Sequence, residues 1–129
     1  MNNKKERGEA GENLVCEYLE QNGATVLKRN YRQKCGEIDI IAKHNETLMF
    51  VEVKTRKKGS MIRGIQAIDY KKQNKIVKTA EIYLMNECSV EMPLRFDVAE
   101  VEVSGTNSKI TYYPDAFDGT TKGFGVFGN

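Results

Sequence analysis

The chain has 129 residues, 40% apolar and 29% charged, which suits one domain closing a single core without disulfide or metal staples. The N-terminal "MNNKKERGEAGE" lacks the apolar stretch of a signal peptide and no later run approaches bilayer length, so a cytoplasmic protein with no membrane partner is expected. Net charge is only +2, but residues 54–78 carry nine Lys/Arg against Asp69 alone, leaving that window at +8 and the remainder at −6, a pattern that suggests one face for a polyanion.

Lys4 to Asn22 reads as the first helix, with Ala10, Leu14, Val15, Tyr18 and Leu19 as its apolar stripe and Gly23 as its stop. Glu12 lies over that stripe, three residues before Val15, whereas Glu17 and Glu20 face water. "TVLKRN" follows as a strand and "RNYRQKCG" as a basic loop, with Tyr31 set between Arg29 and Arg32. A hairpin, "GEIDIIAKHNETLMFVEVKTR", turns through "HNET".

Gly59 to Gly64 reads as a flexible connection, and helical periodicity resumes near Ala67 or Asp69 and lasts to Asn86. Ile76, Ala80, Tyr83 and Leu84 form its core face, and Lys71, Lys75 and Lys78 form a basic row opposite. "LRFDVAEVEV" and "KITYY" are two further strands around a turn at Gly105. The expected domain is 1–118, with 119–129, "GTTKGFGVFGN" from Gly119, as a flexible tail. "GFGVFG" in that tail matches a dinucleotide fingerprint, but with one residue after it no helix can receive a pyrophosphate. Cys16, Cys35 and Cys88 are odd in number and widely spaced, which favours reduced thiols over a disulfide or zinc framework.

The hairpin carries the chemistry. Leu48, Phe50, Glu52 and Lys54 share one strand face, so two ionisable groups extend an apolar row where an unpaired charge is costly. An acid-x-Lys spacing alone is weak evidence, since chance supplies about two in such a composition and two occur, at Glu52 and at Asp69. Asp69 has an adequate explanation as a helix N-cap. If 44 pairs with 47 and 43 with 48, Asp39 stands opposite Glu52. Two facing carboxylates need a positive partner, and a divalent cation such as Mg²⁺ is suited to them, with Asp39, Glu52 and the Val53 carbonyl as protein ligands and Glu12 as an added acid. The structural alternative is a salt-bridge cluster of Asp39, Glu52 and Lys54 without chemistry.

"GEAGENLVCEYL", "LKRNYR", "GEIDIIA", "FVEVKTR", "KKQNKIVKTAEIYL" and "RFDV" together resemble the YraN-like family of predicted bacterial endonucleases, related to Holliday junction resolvases. The resemblance covers nearly the whole chain and implies an α/β restriction-endonuclease-like fold, a mixed central sheet of about five strands flanked by helices. It places Asp39, Glu52 and Lys54 in a D…(D/E)-x-K catalytic motif, with Ile38 where proline is commonest, and matches Glu12 to a helix-borne glutamate. It implies Mg²⁺, with Mn²⁺ as substitute, and hydrolysis of DNA leaving 5′-phosphate ends. Duplex or branched DNA is the expected partner, contacted by Arg29, Tyr31, Arg32, Arg56, Lys57, Lys58, Lys71, Lys75 and Lys78, and resolvase-like symmetry is compatible with a homodimer. Gln66 and Tyr70 match a Q-x-x-x-Y element of some of these nucleases, and Arg95 and Asp97 match either family positions or a buried ion pair. The alternatives carried forward are a nucleic-acid-binding module that does not cleave and an interaction protein whose acids only tie a hairpin.

Overall fold

The computed structural model describes residues 4–59, 68–87 and 91–118. The elements run α1 (Lys4–Gln21), β1 (Thr25–Gln33), β2 (Gly36–His44), β3 (Thr47–Lys57), α2 (Tyr70–Glu87), β4 (Leu94–Ser104) and β5 (Asn107–Phe117). The five strands lie in one sheet in chain order. Neighbours are antiparallel except β3 and β4, which are parallel. A parallel pair needs a crossover, and α2 lies on it. The fold is therefore α/β, a mixed sheet flanked by two helices, as expected.

Each helix covers one sheet face because each strand alternates its apolar residues. Val15, Cys16 and Leu19 of α1 pack with Ile40, Ala42, Met49, Val51, Ala99 and Val101. Ile76, Val77, Ala80 and Tyr83 of α2 pack with Ile38, Ile41, Leu48, Phe50 and Phe96 on the other face. Truncating a fully buried residue such as Val51 or Phe96 would cost about 2–5 kcal/mol.

Local chemistry fixes the ends. The Gly23 N–H donates to the Glu20 carbonyl and the Ala24 N–H to that of Leu19, a paired closure that requires the positive φ of 94° which Gly23 supplies. Asp69 caps α2, its Oδ1 accepting the Lys72 N–H at 2.9 Å. The β2–β3 hairpin turns through Asn45 and Glu46, with Asn45 at φ 55°, and pairs His44 with Thr47 and Lys43 with Leu48.

Three expectations change. Ala10 is exposed, and Gly11 is the residue buried under α1: a Cβ there would collide with the Thr55 hydroxyl, so the missing side chain lets α1 approach β3. "RNYRQ" is strand rather than loop, because β2 pairs with it as far as Gln33–Gly36 and supplies the hydrogen bonds that its polar composition would otherwise seek from water. β5 extends beyond "KITYY" in both directions. The connection at 60–67, with Gln66 and Ala67, Cys88, and the segment 119–129 lie outside the described residues.

Candidate active site

The hairpin register predicted from its turn holds as far as Ile40–Val51 and then stops. Beyond it β2 changes character. Ile38 and Ile40 should share a face by alternation, yet Ile38 packs under α2 and Ile40 under α1. On the other side the β1–β2 ladder passes from Arg29–Ile40 to Tyr31–Ile38 without pairing Asn30 to Asp39. Asn30 has φ 53°, a left-handed conformation that asparagine tolerates better than most residues. Asp39 thus sits at a kink where β2 leaves β3, and not in a continuous ladder opposite Glu52 as the spacing alone predicts.

The kink brings the acids together. The Asp39 Oδ2 accepts the Val53 N–H at 2.8 Å, replacing a ladder bond with a side-chain one. This bond uses the Val53 N–H and does not involve the Val53 carbonyl expected as a metal ligand. Burial first, and then the facing Glu52 charge, push the Asp39 carboxyl up to about 8, while the Val53 hydrogen bond pulls it down and Glu12 adds a smaller upward push.

Glu52 is almost fully buried and has two cations. Lys54 Nζ is 3.6 Å from its Oε2, and Lys72 Nζ, arriving from α2, is closer at 3.3 Å. Glu12 is held from the other side: its Oε1 accepts from Asn30 Nδ2 at 3.2 Å and lies 3.6 Å from Arg29 Nη2. Among the described residues, no group of three or more His, Cys, Asp or Glu side chains stands arranged to hold a metal ion. The two carboxylates form a pair, and Glu12 is an adjoining acid with partners of its own.

The residues expected to bind nucleic acid separate into two sets. Lys57, Lys58, Lys71, Lys75 and Lys78 are exposed. Arg32 is also exposed and lies 3.4 Å from Glu37. The others are committed elsewhere. Arg29 pairs with Glu12. Tyr31 is half-buried with its ring edge-on to Tyr83 at 5.4 Å, so it packs in the core instead of offering a face to a base. Arg56 lies 2.6 Å from the buried Glu100 and 3.9 Å from Glu102. Tyr70 is exposed at the start of α2.

Arg95 and Asp97 form the buried ion pair. Asp97 is fully buried and accepts from Arg95 Nε at 2.9 Å, Arg95 Nη2 at 3.0 Å, the Tyr112 hydroxyl at 2.5 Å and the Asp115 N–H at 2.8 Å. Four donors occupy the lone pairs of one carboxylate, which leaves it no capacity for a metal. Burial and the Asp97 charge raise the Tyr112 phenol, keeping it a donor.

Reading single residues missed Lys72, Asn30 and Gly11. Lys72 was legible by the argument that selects Glu12: it stands four residues before Ile76, over the apolar stripe. Nothing local marks Asn30, whose conformation depends on the kink in the neighbouring strand.

The α–β–β–β–α–β–β order around a mixed sheet, with Asp39 at the kink of one strand and Glu52-x-Lys54 on the next, defines a restriction-endonuclease-like α/β domain. The chain belongs to the uncharacterised protein family UPF0102, whose profile matches residues 11–101, a span that includes Glu12, Asp39, Glu52 and Lys54. It is 40% identical over 117 residues to a UPF0102 protein of Dictyoglomus turgidum, covering 89% of this chain and 99% of that one. A UPF0102 protein of Caldicellulosiruptor bescii is 42% identical over 118 residues, with 89% and 99% covered. One from Clostridioides difficile is 39% identical over 115 residues with the same coverage. No helix among the described residues is long and apolar enough to cross a membrane.

Proposed function

We propose that this chain is a metal-dependent endonuclease that hydrolyses phosphodiester bonds in DNA, directed by branched or junction structure. The observation that carries the reading is the meeting of Asp39 and Glu52 where β2 leaves β3, with Lys54 3.6 Å from Glu52. Two carboxylates in contact repel, and a sequence that maintains them on a half-buried strand needs something positive between them. An all-oxygen pair fits Mg²⁺, which takes one or two carboxylates and fills its remaining positions with water and phosphate oxygens; Mn²⁺ would substitute. Asp39 and Glu52 would hold the ion. When bound it would supply a Lewis acid for the phosphate and a water of lowered pKa.

The chain's own residues do the rest. The Val53 N–H fixes the Asp39 carboxylate against β3. Lys54 orients the attacking water and offsets charge that develops on the phosphate. Glu12, held by Asn30 and Arg29, is the outer acid of the site. Lys57, Lys58, Lys71, Lys75 and Lys78 contact the DNA backbone, positioning it without reading sequence. A homodimer would present two such sites to the arms of a junction.

One alternative has an observation in its favour. Lys54 and Lys72 already flank Glu52, and Glu12 is held by Asn30 and Arg29, so that no group of three acids stands arranged for a metal among the described residues, which suits a nucleic-acid-binding module of the same fold that does not cleave. Incubation with linear, nicked, flapped and four-way DNA in Mg²⁺ or Mn²⁺ separates the two. The nuclease cuts at least one branched substrate and loses that activity in Glu52→Gln. Binding without metal-dependent cutting of any substrate leaves the module.

A further inference from the structure

A second feature adjoins the carboxylate pair. Between the β1–β2 turn and the first half of α2 lies an open cavity of about 390 Å³, lined by Arg32, Lys34, Lys72 and Lys75 with Glu37 as its acid. We infer that this cavity is a phosphate site, holding one backbone phosphate of the nucleic-acid strand whose neighbouring linkage lies at Asp39 and Glu52. The inference rests on the nucleic-acid reading above.

The cavity is a built one. Gly36 lies so close to α2 that an added Cβ would stand 2.9 Å from Thr79 Oγ1 and 3.2 Å from the Lys75 carbonyl. The Thr79 hydroxyl donates to that same carbonyl at 2.7 Å, and Cys35 Sγ lies 3.5 Å from it. The turn is thereby held against the helix, and Arg32, Lys34 and Lys75 stand around a fixed opening instead of along a mobile loop. The lining has four cations and one acid; Arg32 pairs with that acid at 3.4 Å and Lys72 with Glu52 at 3.3 Å, which leaves Lys34 and Lys75 as the cations outside these ion pairs. Arginine and lysine donors converging on a small polar cavity suit a phosphate's several acceptor oxygens. Ile76 is the one large apolar side chain of the lining, so little is offered to a base.

Lys72 ties this cavity to the acids. It lines the opening and also places its Nζ 3.3 Å from Glu52 Oε2. A strand with one phosphate in the cavity lies against the same lysine that reaches Glu52. Lys71 and Lys78 are not part of the lining and serve as a comparison.

The test uses the full chain and a labelled four-way DNA junction in EDTA, so that binding is read without cleavage and the branch fixes the register. Each phosphate near the branch is neutralised in turn by a methylphosphonate. Wild type is expected to show at least one linkage where neutralisation weakens binding about tenfold, the loss of one charge-assisted contact. Lys34→Ala/Lys75→Ala should become insensitive at that linkage, whereas Lys71→Ala/Lys78→Ala should retain the sensitivity. Glu37→Gln, which removes the acid, should tighten binding. All of these are exposed or half-exposed positions, and unchanged melting curves confirm intact folds. A variant profile identical to wild type, or a wild-type profile with no sensitive linkage, overturns the phosphate site while the nucleic-acid reading stands. Failure of wild type to bind the junction at all overturns that reading, and the phosphate site with it.

Discussion

The Val53 N–H donates to the Asp39 carboxylate at 2.8 Å, so a backbone group of β3 binds a side chain of β2 at the place where the two strands stop pairing. This bond ties the Asp39 carboxylate to β3, the strand that carries Glu52. Burial and the Glu52 charge outweigh that bond and favour the protonated form of the Asp39 carboxyl.

That arrangement has a pH signature. Asp39 is raised from an ordinary 3.8 to about 8 by burial and by Glu52, so between those values the folded chain binds more protons than the unfolded one. Stability of the metal-free protein should therefore fall as pH rises from about 4 to about 8 on account of this group. Asp39→Asn keeps an oxygen for the Val53 amide and removes the titration. Its urea midpoint should fall less across that range, so that it equals or exceeds wild type at pH 8. Parallel midpoint curves would contradict the raised Asp39 carboxyl.

Lys54 and the acids should fail differently when removed. Glu52→Gln takes away a proposed metal ligand and should abolish metal binding and cleavage together. Lys54→Ala spares both carboxylates and should retain metal and DNA binding while cleavage drops by roughly 100-fold or more. Single-turnover cleavage alongside Mn²⁺ titration checks this. Equal loss of metal affinity in both variants would remove the distinct role of Lys54.

Arg95 and Asp97 belong to stability. Asp97 is fully buried under four donors, and Arg95→Met withdraws two of them. A loss of about 3 kcal/mol is expected from stripping a buried carboxylate of its cation. Denaturant unfolding measures it, and turnover of the folded fraction should be unchanged. A stable but inactive variant would move Arg95 into the site.

Gly11 sets how closely α1, and Glu12 with it, approaches the sheet. Gly11→Ala would press its Cβ into the Thr55 hydroxyl. A helix interior would otherwise gain from alanine, so a destabilisation of about 1–3 kcal/mol instead of a gain marks the close approach. Thermal melts read the sign directly.

Much of this was legible in local chemistry. Asn45 and Glu46 between matched apolar runs give the hairpin register, Asp69 announces the start of α2, and Gly23 the end of α1. Charges placed over apolar stripes point to Glu12, Glu52 and, by the same argument, Lys72. What escaped depends on distant partners. The kink at Asp39 arises jointly with the left-handed Asn30 of another strand. Tyr31 reads as a nucleic-acid contact from its arginine neighbours, and only the placement of Tyr83 on α2 turns it into core. Arg56 counts as surface charge until β4 lies parallel to β3 and sets Glu100 and Glu102 beside it. Composition also mistook strand β1 for a loop beyond Asn30, because pairing with β2 outweighs polarity there.

The central claim is that Asp39 and Glu52 are a metal pair and not a structural salt-bridge cluster. Thermal melting of wild type and Asp39→Asn at pH 8, each with and without Mn²⁺, tests it most directly. A ligand that binds only the folded state raises its melting temperature. The account predicts a clear upward shift for wild type on adding Mn²⁺, no such shift for Asp39→Asn, and a metal-free mutant at least as stable as metal-free wild type. An unshifted wild type together with a mutant destabilised whether or not metal is present would contradict it, since that is how a purely structural cluster responds to losing one member.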